Sequence, residues 1–203
     1  SRMRSTRKLV AVSCCAALFL TSACGGGHSG HDDHMHPHDH GDLGPTETLP
    51  YTPATPYGPG WEQLEGKPPE AVATNVVEYI VKATPAQSPA QIVENLNGVL
   101  TPEALGALTA HPGRIDATPI MPVLEAWQAA GGGITVTAEV SAEQHPADTE
   151  TSWARKIQTT RELEGIDEAL VDVWMVELSR DHDRDNWRLN QIARLDSSYS
   201  TEQ

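Results

Sequence analysis

The amino-acid sequence predicts an α+β domain in which helices come first and a sheet follows. Between residues 70 and 130 the apolar side chains recur at helical spacing, and each such stretch begins at a proline. After the three consecutive glycines at 131–133 the apolar period changes to two, which is typical of half-buried strands. We therefore expect N-terminal helices packed on a four-stranded antiparallel sheet.

The helices have recognisable start signals. Val72 and Ile80 lie on one apolar face of the first helix, which begins behind a proline pair and ends at Pro85. Ser88-Pro89 followed by Gln91 predicts an N-cap, a proline at the first helical position and a partial capping box. The other predicted helices cover residues 88–98, 101–108 and 122–130.

Alternation then predicts the strands. Ile134, Val136 and Val140 alternate with polar residues, as expected for a strand with one face buried. The short polar segment 180–185 joins the last two strands as a hairpin. The predicted strands cover residues 134–141, 152–162, 170–179 and 186–195.

The third of these strands is apolar on both faces. Val171, Val173 and Met175 alternate with Trp174 and Val176, so that neither face is polar enough to lie in water. Either the helices wrap around both sides of the sheet, or the sheet forms a subunit interface. The sequence does not decide between these two arrangements.

The first residues have the order of an export signal. Four basic residues precede a mostly apolar run of about 12 residues that ends at Leu20. This run is well below the roughly 20 residues that a helix needs to cross the hydrocarbon layer, so a cleaved leader is favoured. The string Leu20-Thr21-Ser22-Ala23-Cys24 resembles a lipobox, with Thr21 where the usual pattern has an aliphatic residue.

Residues 1–23 are therefore predicted to be a lipoprotein signal peptide and Cys24 the lipidated first residue of the mature chain. Lipid on Cys24 would hold the protein on the extracytoplasmic face of the cell membrane. The alternative is cleavage after Ala23 with no lipid. Cys14 and Cys15 leave with the leader, so the mature fold is expected to contain no disulfide.

The mature chain is strongly acidic. Removing residues 1–23 takes four of the 14 basic residues and no acidic ones, which leaves 10 against 28 and a formal charge of −18. Such a surface repels nucleic acid, so we expect no nucleic-acid partner.

Residues 24–69 are rich in Gly, Pro, His, Asp and Thr, which predicts a disordered tether. Its most distinctive feature is a set of six imidazoles interleaved with aspartates: His28, His31, His34, His36, His38 and His40. Neutral imidazole binds Zn, Cu and Ni, so these histidines are candidate metal ligands. The segment lacks a preorganised geometry, and a hydrated spacer or a pH-responsive tether remain the alternatives. Trp61 differs from its surroundings and is a candidate for pinning this segment to the domain or to a partner.

Two patterns invite a catalytic or calcium-binding interpretation. The run 181–186 resembles the start of a calcium loop, but lacks its turn glycine and its final glutamate, so a charged hairpin turn is favoured. His111, His145 and His182 lie beside turn-forming residues, and no nucleophile motif accompanies them. Surface loops are the favoured interpretation for all three histidines.

The four tryptophans outside the tether are expected to pack in the core. They are Trp127, Trp153, Trp174 and Trp187.

The order of elements also carries a resemblance. The helices, followed by a sheet with Val173-Trp174-Met175-Val176-Glu177-Leu178 in its third strand and Asn186-Trp187-Arg188-Leu189 at the start of its fourth, resemble the NTF2-like (cystatin-like α+β) superfamily. More narrowly, they are similar to the periplasmic domain of VirB8-type proteins and of actinobacterial conjugal-transfer lipoproteins. Arg outnumbers Lys ten to four, which also suggests an actinobacterium.

The resemblance covers about residues 70–196, with 197–203 left as a disordered tail, and it implies that the sheet is curved. In NTF2-like enzymes the concave face holds an acid or base, which here would be Asp172 or Glu177. Both are more simply interpreted as solvent-side or rim residues of a strand. Because the superfamily includes enzymes, pocket proteins and scaffolds, the fold alone names no reaction.

These observations lead to three functional hypotheses. The first is a membrane-anchored, non-catalytic scaffold or adaptor in a cell-envelope or transfer complex, with a protein partner or a homo-oligomer and no resident cofactor. The second is a histidine-rich surface lipoprotein that binds Zn, Cu or Ni. The third is a small-ligand-binding protein of the NTF2-like type.

Overall fold

The computed structural model describes residues 52–201. Four strands follow four helices and form one antiparallel sheet in the order β1-β2-β3-β4. This confirms the predicted α+β class and the order of its elements. The bounds are α1 Pro69–Ala83, α2 Pro89–Leu96, α3 Pro102–Ala110, α4 Met121–Ala130, β1 Ile134–Val140, β2 Ser152–Leu163, β3 Glu168–Ser179 and β4 Arg188–Thr201.

Local chemistry explains where the helices begin and end. The Ser88 hydroxyl accepts a hydrogen bond from the Gln91 backbone N–H, and the Gln91 side chain accepts one from the Ser88 N–H, which completes the predicted capping box of α2. Thr101 caps α3 in the same way through the backbone N–H of Ala104. Gly131 ends α4 in the left-handed conformation, with φ of 63°.

The helices cover one face of the sheet, called here the inner face. α1 packs across β1, β2 and β3. Strand alternation and register place every second residue of each strand on this face. The main core combines α1 and α2 with the inner face, and its most deeply buried side chains include Val72, Val76, Ile80, Ile92, Leu96, Ile157, Trp174, Val176, Leu178 and Leu189.

The burial of the opposite, outer face shows whether the helices cover both sides of the doubly apolar strand β3. Val171 and Val173 are half-buried, Met175 is 37% exposed and Leu195 of β4 is 51% exposed. None of the four belongs to either buried apolar cluster of the domain. Within residues 52–201 the helices therefore do not wrap around both sides, and these four residues are named the outer strip.

Residues 52–68, named the N-terminal strap, pack against the domain. The sequence assigned them to the disordered tether, so the domain starts earlier in the chain than Glu70. Trp61 is 6% exposed, its indole N–H donates to the Asn95 carbonyl at 2.9 Å, and its ring meets Tyr79 edge-on at 5.4 Å. The pinning role considered for Trp61 is thus what the structure shows.

The loop between β3 and β4 holds the other end of the strap. The Thr55 N–H donates to the Asp185 carboxylate at 2.8 Å, and the Asn186 side-chain amide donates to the Thr55 carbonyl at 2.9 Å. The Arg188 guanidinium donates to the carbonyls of Thr55 and Pro56. The polar residues that resembled a calcium loop therefore form a charged hairpin that binds the strap.

The other boundary also differs from the prediction. β4 continues to Thr201, whereas residues 197–203 were predicted to be a disordered tail. Ser197 and Ser198 lie opposite Asp172 and Val171 in the register with β3. The reason is that β3 supplies a full set of backbone partners, so that polar residues extend the strand without burying their side chains.

Two glycines allow the strap to approach α2 closely. The Gly58 N–H donates to the Gly98 carbonyl at 3.0 Å, and a Cβ added at Gly98 would lie 2.8 Å from the Gly58 Cα. That distance is shorter than van der Waals contact and involves backbone on both sides. Only glycine therefore fits at this crossing.

We expect Gly98→Ala to lower the free energy of unfolding by about 1–3 kcal/mol, because the added methyl group forces the strap away from the end of α2. Gly106→Ala in α3 is the matched control, since nothing lies within 4 Å of its Cβ position. It should raise the stability by about 0.5–1 kcal/mol through helix propensity. Chemical denaturation followed by tryptophan fluorescence measures both, and equal effects of the two changes would contradict the close crossing.

Candidate functional site

A buried ion pair lies on the inner face of the sheet. Arg161 of β2 is 1% exposed and Asp172 of β3 is fully buried. An Arg161 Nη2 hydrogen donates to Asp172 Oδ2 at 2.7 Å. Charged side chains are rarely buried to this extent without a specific role, so this pair is the starting point for the candidate site.

A second guanidinium joins the pair. Arg194 Nη1 of β4 lies 3.6 Å from Asp172 Oδ1, and the Arg194 side chain is 29% exposed. Removal from water lowers the pKa of Arg161, an effect that the adjacent Asp172 carboxylate only partly offsets. One carboxylate thus lies between two guanidinium groups, and one of the two is shielded from solvent.

The α4 helix covers the pair. The Trp127 ring lies over the Arg161 guanidinium, with 5.9 Å between Cζ and the ring centroid. Val123 and Trp127 are the buried residues of α4, and they pack with Leu163 and Leu170 in a small apolar cluster separate from the main core. We name Arg161, Asp172, Arg194 and Trp127 the polar cluster.

Several polar atoms of the cluster have no hydrogen-bond partner among the described residues. They are Arg161 Nε, Arg161 Nη1, Trp127 Nε1 and Asp172 Oδ1. The neighbouring Trp174 differs, because its indole N–H donates to Thr159 Oγ1 at 3.0 Å. Buried donors without partners are rare and costly, which separates the polar cluster from an ordinary structural ion pair.

The placement of Asp172 corrects the sequence-based interpretation. Asp172 was expected on the solvent side or the rim, but it shares the inner face with Leu170 and Trp174. The reason is its partner Arg161, which occupies an inward position of β2 and compensates the buried charge. Glu177 lies on the outer face, half-buried, and accepts a hydrogen bond from the Asn190 amide.

No hydrogen bond joins any two of the three histidines within residues 52–201. His111 follows α3, and His145 lies in the exposed loop after β1 with its Nδ1 next to the Pro146 carbonyl. His182 lies in the β3–β4 loop, where its Nδ1 meets the Arg184 N–H. All three are loop residues, as the sequence predicted.

The four tryptophans predicted to pack in the core are all buried. Trp127, Trp153, Trp174 and Trp187 are each at most 6% exposed. Trp153 and Trp187 lie beneath the guanidinium groups of Arg155 and Arg180, at 5.1 and 4.3 Å from the ring centroids. Tryptophan–arginine stacking is thus repeated in the domain. Among these four, Trp127 is the one whose fully buried indole N–H has no hydrogen-bond partner within residues 52–201.

The other predicted site residues lie outside the described part of the chain. They are Cys24 and the six histidines His28, His31, His34, His36, His38 and His40. Within residues 52–201, no group of three or more His, Cys, Asp or Glu side chains is arranged to hold a metal ion. In the same range no helix combines the length and the apolar character needed to cross a membrane.

Comparison with known proteins adds no assignment. No protein-family model, curated protein or solved structure matches this chain. The polar cluster must therefore be judged by its chemistry. Guanidinium groups stay protonated and only donate hydrogen bonds, so the cluster is suited to holding an oxygen-bearing group rather than to moving a proton.

We expect Arg161→Met to lower the free energy of unfolding by about 3–5 kcal/mol, because it leaves Asp172 buried without its closest counter-charge. Lys156→Met is the matched control, since it breaks the exposed 2.6 Å pair with Glu143 and should cost at most about 1 kcal/mol. Urea denaturation measures both. If the two variants lose the same stability, the buried pair does not support the fold.

Proposed function

We propose that this chain is a lipid-anchored protein of the extracytoplasmic face of the cell membrane, which acts as a non-catalytic adaptor in an envelope or transfer complex. Its folded domain binds a protein partner through the outer face of the sheet. The observation that carries this proposal is the outer strip, since apolar β3 residues face away from both buried clusters. Apolar surface left uncovered in a folded domain is typical of an interaction site.

The outer strip continues towards a groove at the sheet edge. Met175 lies opposite Ala193 of β4, and both line a groove of about 480 Å³ between β4 and α3. Ala104 and Ala107 form the helical wall of this groove, and Ile192 lies in its floor. A partner can thus place one side chain in the groove while the rest of its contact covers the strip.

Charge favours a different protein over a second copy. The outer face carries the carboxylates of Glu139 and Glu162 on β1 and β2, and those of Glu177 and Asp196 near the strip. Of the basic residues at this surface, Lys156 is paired with Glu143, and Arg114 lines the groove beside Met175. Two copies would place acidic faces together, whereas a partner with apolar side chains flanked by Lys or Arg would complement this face.

The order of elements supports an NTF2-like assignment as part of the proposal. All four helices precede the sheet, and α1 packs on three of its strands. The β3–β4 hairpin with Trp174 and Trp187 is the part on which the resemblance to VirB8-type domains rests. Members of that superfamily that act through protein contacts fit the outer strip better than enzymes do.

Anchoring through Cys24 is supported by the basic and apolar leader and by the lipobox-like string before it. The segment between Cys24 and Thr52 has a maximum extended length on the order of 90 Å. The domain can therefore reach a partner well above the membrane surface.

A photo-crosslinking amino acid at Met175 of the full-length chain, in the source cells, tests the docking surface. We expect a crosslink to a different envelope protein at a Lys- or Arg-rich segment, and a lower yield at high salt because charges steer the encounter. Mass spectrometry of the crosslinked product identifies the segment. A crosslink to a second copy of this chain, or none, would overturn the proposal.

Two variants separate docking from anchoring in the same experiment. Met175→Glu should stay in the membrane fraction and lose the crosslink from a probe at Val173, whereas Thr137→Glu, exposed on β1 of the same face, should retain it. Cys24→Ala should appear in the soluble fraction with an unmodified mass. Retention of Cys24→Ala in the membrane would contradict the lipid anchor.

A second candidate function rests on the six histidines between His28 and His40, which favour extracytoplasmic binding of Zn²⁺, Cu²⁺ or Ni²⁺. We expect the mature chain to take up Zn²⁺ in equilibrium dialysis at pH 7.5 and to lose it towards pH 5, because imidazoles must be neutral to bind metal. Deleting residues 28–40 should abolish the uptake. Undiminished uptake after this deletion would rule out these histidines as the ligands.

A further inference from the structure

The polar cluster offers hydrogen-bond donors that the fold itself does not use. Arg161 employs Nη2 for Asp172, while its Nε and Nη1 have no partner among residues 52–201. The Trp127 indole N–H on α4 also has no hydrogen-bond partner in that range. The Arg161 Cζ lies 5.9 Å from the centroid of the Trp127 ring, so these donors are neighbours at the junction of α4 and the sheet.

Few buried side chains hold α4, the helix that covers this region, against the sheet. α4 buries Val123 and Trp127, whereas Ile120 and Met121 at its N-terminal end are about 60% exposed. At the other end Gly131 and Gly132 permit changes of backbone direction, while the Gly133 carbonyl is held by the Glu164 N–H at 3.1 Å. A helix attached in this way can move away from the sheet at a lower cost than α1, which buries six side chains in the main core.

The surroundings of the donors define the chemistry of a ligand. Leu163, Leu170 and Val123 provide an apolar wall next to the guanidinium. Asp172 is the carboxylate within ion-pair distance of both Arg161 and Arg194, and Asp116 also interacts with Arg194, so the positive charge left for a ligand lies on the Arg161 side and does not exceed one. A single negative charge on an apolar body would satisfy both features, whereas a dianion would meet repulsion from Asp172.

We propose that the polar cluster is a binding site for a small organic monocarboxylate, which enters when α4 moves outward and is then held by Arg161 and Trp127. The carboxylate oxygens accept hydrogen bonds from the unused guanidinium and indole donors. The apolar body of the ligand lies against Leu163 and Leu170. This site is on the inner face and is independent of the docking surface on the outer face.

Calorimetric titration of the detergent-solubilised mature chain with benzoate tests the site. We expect saturable binding of benzoate, at least tenfold weaker binding of the neutral benzamide, and no stronger binding of inorganic phosphate. Hydrogen exchange of the α4 backbone amides should slow in the presence of benzoate, because the ligand holds the helix against the sheet. Equal affinity for benzoate and benzamide would overturn the anion assignment.

Two variants decide whether binding occurs at this position. Trp127→Phe keeps the aromatic cover and removes the indole donor, so we expect about tenfold weaker benzoate binding. Trp153→Phe is the control, because Trp153 is equally buried and stacks on Arg155 at 5.1 Å in another part of the sheet. If the folded parent protein does not bind benzoate, or if both variants bind it equally, the proposal fails.

Discussion

The sheet is larger than the helices that cover it, and most features of the domain follow from this mismatch. β3 has 12 residues and extends about 40 Å, whereas α1 with 15 residues extends about 22 Å. α1 therefore covers only part of the inner face, and the short helix α4 covers the end where Arg161 and Asp172 lie. α1, α2 and α4 pack towards the inner face and α3 lies beside the β4 edge, so the helices described in residues 52–201 leave most of the outer strip uncovered.

Local signals were sufficient to predict the elements. Prolines at the first helical positions, the Ser88 capping box and the glycines after α4 act within a few residues, so they are visible in the sequence. The alternation of Ile134, Val136 and Val140 likewise identifies β1 and its inner face, on which Val136 is buried while Ile134 at the start of the strand is 46% exposed. These features depend on backbone geometry, which near neighbours in the chain determine.

The candidate site could not be predicted in the same way, because it depends on register. Arg161 and Asp172 are 11 residues apart on different strands, and only the pairing of β2 with β3 brings them together. The detectable signal was that Arg161 keeps the inward period of Ile157 and Thr159. The packing of the strap was not predicted for a related reason. Its proline- and glycine-rich composition is typical of disorder, whereas Trp61 and Thr55 bind partners far along the chain.

The attachment of the strap has a mechanical consequence if the chain is anchored through Cys24 as proposed. A pull on the chain from its N-terminal side then reaches Thr55 first, where hydrogen bonds to Asp185, Asn186 and Arg188 join the strap to the last hairpin. Load is thus passed directly into the long β3–β4 pair before it can unwind α1. The strap's hydrogen bonds therefore oppose unfolding by a force applied where the chain enters the domain.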